Sequence, residues 1–468
     1  MGRIGHRRLL MISVALTIAA VGVKMDRKST VIAATLAQTS QTQFEYSASP
    51  VVATIRGGSS PILRPTFFGM TIHRLFEPGL SKAKWTPFPS FPVSTMRLWD
   101  VVTWRDIEPA RGRYSWDKMD GIIKTARDSG VSDFIFTLGM MPTWASSNPG
   151  GVCGPPPNSR GGTCFMPSNL DYLDEFATAL TRRYCGSVRY FETWNEPNDS
   201  RYWAGTNSQL ITVAQHWYRI VRDPKNCGCV SDVCAPGRGS NPNQVLMPSI
   251  AGTSGERWLN KWSAVAGSRY PYADIVAFHG YGYADQPERV DELIQYMRQT
   301  AVSVGLGSKQ MWNTEASWGK QNGYSELENA SWLMRYHLVL AATGWVDRFI
   351  WYAYDNCEWG TLWDGPYCNK PVGMRAAGIA YATIQKWLTG TRCDWCEAHR
   401  DGTWVCRLSQ PNRYVAYAMW NIRGAINIEI PKTSKLGQYR DWQNHIKPIP
   451  QRLTIDTMPV LLESSTRP

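Results

Sequence analysis

The chain has 468 residues, 43% hydrophobic and 19% charged, which suits one large domain plus a smaller one and is too apolar for a disordered protein. The formal net charge is +12, but residues 1–28 hold six basic residues against one acidic residue, a net +5. The other basic residues are scattered, so the sequence lacks the basic runs of a nucleic-acid-binding protein, although an acidic polysaccharide partner is permitted. The 22 tryptophans and 21 tyrosines favour a carbohydrate ligand, because flat rings stack on the C–H faces of sugars.

The N-terminus predicts export. Basic residues precede an apolar stretch at residues 9–23, which is typical of a signal peptide and is shorter than the roughly 20 residues of a membrane-spanning helix. Residues 1–23 are therefore predicted to be a signal peptide or, if uncleaved, an anchor that associates the chain with a membrane. Residues 24–60 are predicted to be a linker and lead-in. The periplasm, the cell surface and the medium are all consistent with this prediction.

Residues 61–390 alternate short apolar β-rich runs with helical periodicity, which predicts a parallel sheet covered on both faces. Eight such units predict a closed (β/α)₈ barrel with catalytic groups at the C-terminal ends of its strands. An open doubly wound sheet is the alternative, but no glycine-rich phosphate turn follows the first strand. The predicted strands are 67–73, 94–99, 133–139, 188–197, 244–252, 274–282, 310–318 and 348–355.

The last part of the chain, residues 391–468, has short β-like runs separated by turn residues and no long helix. It predicts a small β-sandwich domain packed on the barrel, with a contribution from the chain before residue 65.

The sequence contains 11 cysteines, which fits an oxidising compartment. Two pairs bracket loops and are predicted to be disulfides: Cys153 with Cys164, and Cys357 with Cys368. One cysteine of the cluster 227, 229 and 234 is expected to reach Cys185. The cluster 393, 396 and 406 lacks a nearby fourth ligand for zinc, and the odd total leaves one thiol unassigned.

Two glutamates end matching strands. Glu196 in "WNEP" lies at the end of the fourth predicted strand, and Glu315 in "WNTEASW" lies in the seventh. The 119 residues between them correspond to three βα units of about 40 residues, so both carboxylates are expected at the central cavity. Glycoside hydrolysis needs such a pair: a separation of about 5–5.5 Å gives retention of configuration, and about 6.5–9.5 Å gives inversion.

The neighbours of the two glutamates suggest their roles. Trp194 and Pro197 flank the "NE" of "WNEP" and would keep Glu196 protonated, as a general acid requires. Asn195 is then placed to bind a sugar hydroxyl. Arg97 on the second strand and Tyr281 on the sixth are the candidates to hold Glu315 ionised.

Further candidates for substrate contact lie at or just after strand ends. His279 is either a core histidine or a substrate ligand, and the other candidates are His73, Trp144, Trp318 and Trp351. We predict no metal and no cofactor, since HExxH and paired histidine ligands are absent from the sequence, as is the G-x-S-x-G motif of serine hydrolases.

At these residues the sequence resembles a known clan. "WNEP" and "NTEASW" resemble clan A, the barrel glycoside hydrolases with an acid/base and a nucleophile on strands four and seven. "MRLWDVVTWRDIEPARGRYSWDKMD", "AFHGYG" and "PVLLE" are most similar to family 39, which includes β-xylosidases, α-iduronidases and bacterial exopolysaccharide hydrolases. The resemblance spans residues 65–465, while the loop "GGVCGPPPNSRGGTC" departs from it. It implies retention, with Glu196 as acid/base and Glu315 as nucleophile.

The sequence therefore predicts an exported retaining glycoside hydrolase that acts on an oligo- or polysaccharide, as an exo-glycosidase or an exopolysaccharide-degrading enzyme. An endo-acting hydrolase of the same clan is one alternative, and a non-catalytic carbohydrate-binding protein is another.

Overall fold

The computed structural model describes residues 44–57, 61–154, 161–227, 241–252, 256–281, 286–318, 324–411 and 414–464. The predicted export segment and two of the cysteines, 229 and 234, lie outside these ranges. Within them, no helix combines the length and the apolar character needed to cross a lipid bilayer.

The first strand, β1 (Val51–Ile55), belongs to the C-terminal sheet, and the barrel begins after it. The barrel strands are β2 (Phe68–Met70), β3 (Thr95–Arg97), β4 (Asp133–Thr137), β5 (Tyr190–Glu192), β6 (Gln244–Leu246) with β7 (Ile250–Ala251), β8 (Ile275–His279), β9 (Gln310–Ala316) and β10 (Val346–Trp351). Neighbouring strands pair in parallel, and the pairings of β10 with β2 and of β6 with β8 close the sheet. This closure confirms the (β/α)₈ barrel and excludes the open sheet.

Eight α-helices accompany the strands in the described part of the chain. They are α1 (Trp104–Ile107), α2 (Asp117–Asp128), α3 (Leu170–Arg183), α4 (Asn207–Val221), α5 (Glu256–Ala266), α6 (Val290–Ser303), α7 (Glu326–Thr343) and α8 (Ala376–Leu388). Helix α7 begins with a capping box between Ser325 and Glu328 and ends at Gly344, whose φ of 64° suits glycine. Its residues 330–343 are all buried, because the C-terminal sheet covers the face that would otherwise meet solvent.

The C-terminal layer is an antiparallel β-sandwich. After the short hairpin β11 (Trp363–Asp364) and β12 (Gly373–Met374), the strands are β13 (Arg392–His399), β14 (Thr403–Gln410), β15 (Tyr414–Asn421), β16 (Ile426–Glu429), β17 (Gln438–Arg440), β18 (Ile446–Pro448), β19 (Arg452–Ile455) and β20 (Val460–Glu463). Seven strands form one sheet in the order β1-β13-β14-β15-β20-β17-β18, and β16 pairs with β19. Apolar side chains from both sheets form a second core, which includes Val405, Met419, Ile428 and Leu453.

The sandwich is joined to the barrel through buried polar contacts as well as packing. The Trp420 indole N–H donates to Glu288 Oε1 at 2.8 Å, and Glu288 also pairs with Arg335 of α7 at 2.5 Å. This arrangement fixes α7 between the two layers.

Four disulfides are present in the described residues. Cys153–Cys164 and Cys357–Cys368 close the two loops as predicted, and Cys227 is the cysteine that reaches Cys185. Cys396 pairs with Cys406 across two strands, which leaves Cys393 as a buried thiol. These bonds fit an extracellular or periplasmic protein.

Candidate active site

Glu196 lies just beyond the end of β5, at the mouth of the barrel. Its backbone N–H donates to the Ser249 carbonyl at 2.8 Å, and its φ is 43°, in the left-handed region that non-glycine residues seldom adopt. Such backbone strain costs on the order of 1 kcal/mol or more and often marks functional sites. The residue is only 8% exposed.

Glu315 lies in β9, two strand positions beyond Asn313, and is 6% exposed. Arg97 Nη1 donates to its Oε2 at 2.5 Å, and the Tyr281 hydroxyl donates to its Oε1 at 2.7 Å. The sequence predicted both residues as partners of this carboxylate, and the structure brings them into direct contact with it.

His279 connects the two glutamates. Its Nδ1 is 2.7 Å from Glu196 Oε1, and one atom from each of His279, Glu196 and Glu315 lies within 4.8 Å of the others. The imidazole is completely buried, and burial lowers its pKa to about 4, so it is neutral at neutral pH. The two carboxylates therefore face each other at the mouth of the barrel, with one oxygen of each within 4.8 Å of the other.

A layer of polar groups lies beneath this pair. Arg97 is fully buried and donates to Glu192 Oε2 at 2.6 Å and to Asn195 Oδ1 at 2.7 Å, in addition to Glu315. Although burial opposes it, the Arg97 charge lowers the pKa of Glu192. Glu192 also accepts hydrogen bonds from Thr137 and Thr314, at 2.7 Å each. Two carboxylates thus share one guanidinium.

Glu192 was not among the residues predicted from the sequence. A usable signal was present, because Glu192 and Glu196 are four residues apart in "FETWNEP", and side chains at even spacing on a strand point to the same face. A second acid that faces the barrel interior needs a positive charge nearby, and Arg97 of β3 supplies it.

The environments of the two glutamates differ in the way that acid catalysis needs. Burial raises the pKa of Glu196 to about 7, and the described residues place no guanidinium or ammonium in hydrogen-bond contact with it. Burial raises the pKa of Glu315 too, but the Arg97 guanidinium acts in the opposite direction. Because Arg97 is ion-paired directly with Glu315, ionisation is favoured on Glu315 over Glu196.

Two carboxylates and an imidazole are also possible metal ligands. Here the Arg97 guanidinium already supplies the positive charge beside Glu315, and Glu192 is committed to the same guanidinium. A divalent cation would therefore meet a like charge at hydrogen-bond distance, and the donor set suits proton transfer better than metal binding.

The glutamates open onto a cleft of about 560 Å³. Its walls include Asp100, Asp199, Arg201, Tyr202, Tyr352 and Trp359. Arg201 is paired with Asp199 at 2.6 Å, and the Tyr352 hydroxyl donates to Asp100 at 2.9 Å. The cleft thus combines hydrogen-bonding groups with aromatic faces, as sugar sites do.

Known structures share this architecture. A family 39 glycoside hydrolase from Bacteroides cellulosilyticus WH2 superposes with a TM-score of 0.60 at 16% identity, covering 85% of this chain and 81% of that one. A conserved exported protein from Bacteroides fragilis gives a TM-score of 0.57 at 12% identity, covering 88% and 100%. A family 39 β-xylosidase from Caulobacter crescentus gives a TM-score of 0.53 at 14% identity, covering 87% and 98%. No family model and no curated protein matches the sequence.

The chain has the fold of the clan A glycoside hydrolases. The resemblance inferred from the sequence motifs is confirmed at the level of the fold.

Within this clan A fold, Tyr281 is the one predicted substrate-binding residue among the described residues that line the cleft. Trp351 is 1% exposed, and its indole N–H donates to the Gly360 carbonyl at 2.7 Å. Its neighbour Tyr352 lines the cleft instead, because successive side chains alternate between the two faces of a strand. Arg97 and His279 are both fully buried, so their contacts are with the glutamates and not with a sugar.

The remaining candidates lie around the same mouth of the clan A barrel. His73 packs edge-on against Tyr352, with ring centroids 5.4 Å apart, and its Nδ1 is 3.2 Å from Asp355. Trp144 is half-buried and donates to the Glu108 carbonyl at 2.9 Å, outside the cleft lining. Trp318 stacks on the buried Trp332 at 5.9 Å, so it too is engaged in packing.

Asn195 remains a candidate for substrate contact. Its Oδ1 accepts from Arg97, and its Nδ2 is buried without a partner among the described residues. An unpaired buried donor is costly, and a substrate oxygen would satisfy it.

Proposed function

We propose that this protein is an exported retaining glycoside hydrolase. The observation that carries the proposal is the pair Glu196 and Glu315, one atom of each within 4.8 Å of the other, with a raised pKa on the first and a direct cation on the second. The fold of the similar structures supports it, since those whose names state an activity are glycosidases.

The geometry suits double displacement. Glu315, oriented by Arg97 and Tyr281, attacks the anomeric carbon while Glu196 transfers its proton to the leaving oxygen. The product is a glycosyl-enzyme ester on Glu315. Glu196, now ionised, takes a proton from water, and that water attacks the same carbon and releases the sugar with retained configuration.

Asn195 and His279 assist in different ways. The free amide N–H of Asn195 would bind a hydroxyl of the reacting sugar. His279 holds Oε1 of Glu196, which leaves Oε2 to face the leaving oxygen. Neither role requires a metal or a cofactor.

The substrate is proposed to be a neutral sugar. Among the described residues that line the cleft, Asp100 and Asp199 add to the two glutamates, and Arg201 is already paired with Asp199. A carboxylate or sulfate on the substrate would be repelled by these charges. The net positive charge of the whole chain therefore does not by itself indicate an acidic substrate, because the described cleft lining holds four carboxyl groups and one guanidinium.

The test is hydrolysis of a panel of aryl glycosides and of plant and bacterial polysaccharides. We expect Glu315→Ala to abolish activity, Glu196→Ala to lower it, and azide to restore the Glu196→Ala variant by replacing water as the nucleophile. The matched control is Glu175→Ala, which removes a half-exposed glutamate paired with Arg111 on the barrel's outer surface.

The anomeric form of the first product, followed by proton NMR, tests retention. Equal activity of the wild type and both variants would overturn the catalytic assignment. Binding of sugars without release of reducing ends would support the alternative of a carbohydrate-binding protein.

A further inference from the structure

Trp359 is exposed at the edge of the cleft, although the loop around it is tightly held. Its side chain is 39% exposed, and it lines the same cleft as Glu196 and Glu315. A large aromatic side chain fixed at the rim of a polar cleft leaves apolar area in water, and that area is available to an apolar surface of a ligand.

Three contacts fix the backbone at this position. The Cys357–Cys368 disulfide closes the loop, the Ala353 N–H donates to the Trp359 carbonyl at 3.2 Å, and the buried Trp351 indole donates to the Gly360 carbonyl at 2.7 Å. The position of Trp359 is therefore set by the barrel core. A loop backbone held in this way loses little entropy when a ligand binds.

Gly360 shows why the loop takes this path. Its φ is 56°, and a Cβ atom there would lie 2.3 Å from Ser317 Cβ and 2.7 Å from the Tyr352 carbonyl oxygen. Only glycine fits where the loop after β10 crosses the end of β9. This path of the loop places Trp359 beside Tyr281, which follows β8, the sixth strand of the barrel.

The position of Trp359 identifies one end of the cleft. Its ring centroid lies 6.4 Å from that of Tyr281, edge-on, and the Tyr281 hydroxyl donates to Glu315. Asp199 and Tyr202, which follow Glu196 in the chain, line the same cleft. Because the acid protonates the leaving oxygen, the leaving group lies toward Glu196, and Trp359 lies beside the part of the substrate that stays on Glu315.

We propose that Trp359 is a stacking platform for a second sugar unit, attached to the reacting sugar on the side away from the leaving group. This proposal rests on the glycoside hydrolase function proposed above and refines it. It assigns to the protein a substrate with at least two sugars on that side, so the chain is cut internally or released in units longer than one sugar.

The experiment compares two substrates with the same leaving group. Nitrophenyl β-xyloside and β-xylobioside, with the corresponding glucoside and cellobioside, are assayed with wild type, Trp359→Ala, Trp359→Phe and the control Trp345→Ala. Trp345 is half-buried at the start of β10, at the opposite end of the barrel. Unfolding midpoints are measured for all variants, so that each is assayed while folded.

We expect Trp359→Ala to lower kcat/KM for the aryl disaccharide by about tenfold and to leave that of the aryl monosaccharide within about twofold, since aromatic stacking has this magnitude. Trp359→Phe should keep most of the wild-type kcat/KM for the aryl disaccharide. Trp345→Ala should show the same ratio of kcat/KM between the two substrates as the wild type. An equal loss on both substrates, or no loss on either, would overturn the platform.

A binding measurement separates this proposal from the catalytic one. Calorimetric titration with xylotetraose and cellotetraose is carried out on wild type and on Trp359→Ala. Sugar binding that depends on Trp359 in a protein without hydrolytic activity would support the platform and overturn the enzyme. A wild type that neither binds nor hydrolyses any of these sugars would overturn both.

Discussion

The raised pKa of Glu196 gives a prediction that links catalysis to stability. Burial raises this pKa from 4.5 to about 7, so the carboxyl is half protonated near neutral pH. If Glu196 is the general acid, kcat/KM of the wild type should be half-maximal near pH 7 on its alkaline limb and should fall about tenfold per pH unit above pH 8.

Glu196→Gln removes the titrating proton while keeping the size of the side chain. We expect kcat/KM to fall by about 10²–10⁴ for substrates with poor leaving groups, and much less for activated nitrophenyl glycosides, which leave without a proton. The alkaline limb near pH 7 should disappear. Initial rates between pH 4 and 9, measured on both kinds of substrate, check these outcomes.

The same substitution has a stability consequence with a definite sign. A carboxyl whose pKa is higher in the folded state binds its proton more tightly there, so its stabilising effect is complete below pH 4.5 and is lost as the pH rises to about 7. At 1.36 kcal/mol per pH unit, this loss amounts to about 3 kcal/mol. Glu196→Gln avoids it, because glutamine does not ionise.

Urea unfolding of both proteins at pH 4 and pH 8 measures this effect. The free energy of unfolding of the variant, relative to wild type, should increase by about 3 kcal/mol from pH 4 to pH 8. The contributions of the other titrating groups to the free energy of unfolding are nearly the same in both proteins and largely cancel in this difference. A difference that does not change with pH, together with an alkaline limb that persists in the variant, would refute the assignment of the proton to Glu196.

The remaining predictions concern the partners of Glu315 and the platform loop. Arg97→Met leaves two buried carboxylates without their cation and should destabilise the fold by about 3–5 kcal/mol, measured by urea unfolding at pH 7, with a smaller effect at pH 4. Tyr281→Phe removes one hydrogen bond to a charged group and should lower kcat by about tenfold or more, with an unchanged unfolding midpoint. Replacing Cys357 and Cys368 by alanine removes a disulfide between residues 11 positions apart and should lower the free energy of unfolding by about 3 kcal/mol. We also expect a higher KM for aryl disaccharides. An unchanged KM would show that the position of Trp359 does not depend on the disulfide.

The barrel could be predicted from the sequence because its signals are local. Apolar runs with even spacing alternate with amphipathic helices such as α2 and α3, and each of these patterns fixes an element without knowledge of the rest of the fold. The distance of 119 residues between Glu196 and Glu315 then places both at strand ends on one side of a closed barrel. The closure of the sheet into a barrel was predicted from the number of strand–helix units, which is eight.

The side-chain partners could be predicted only in part. Arg97 and Tyr281 were predicted because they are a cation and a hydrogen-bond donor at the ends of barrel strands. That Arg97 is shared with Glu192 was not predicted. The pairing of buried acids with cations depends on where side chains from different strands meet across the barrel. These positions are set by the stagger of the strands and not by residue spacing in the sequence. For Trp351 the prediction chose the wrong one of two successive side chains, because alternation along the strand places Tyr352 in the cleft and Trp351 in the core.

The sequence by itself determined the fold class, the two glutamates and the disulfides of the two long loops, since these depend on periodicity and short separations. Only the tertiary structure decided which groups share Arg97, which aromatic rings face the cleft, and that Trp359 is carried across β9 to the side of Tyr281. Those relations join residues far apart in the chain. They are settled by packing in three dimensions, where a single close approach such as that of Gly360 to Ser317 fixes the path of a whole loop.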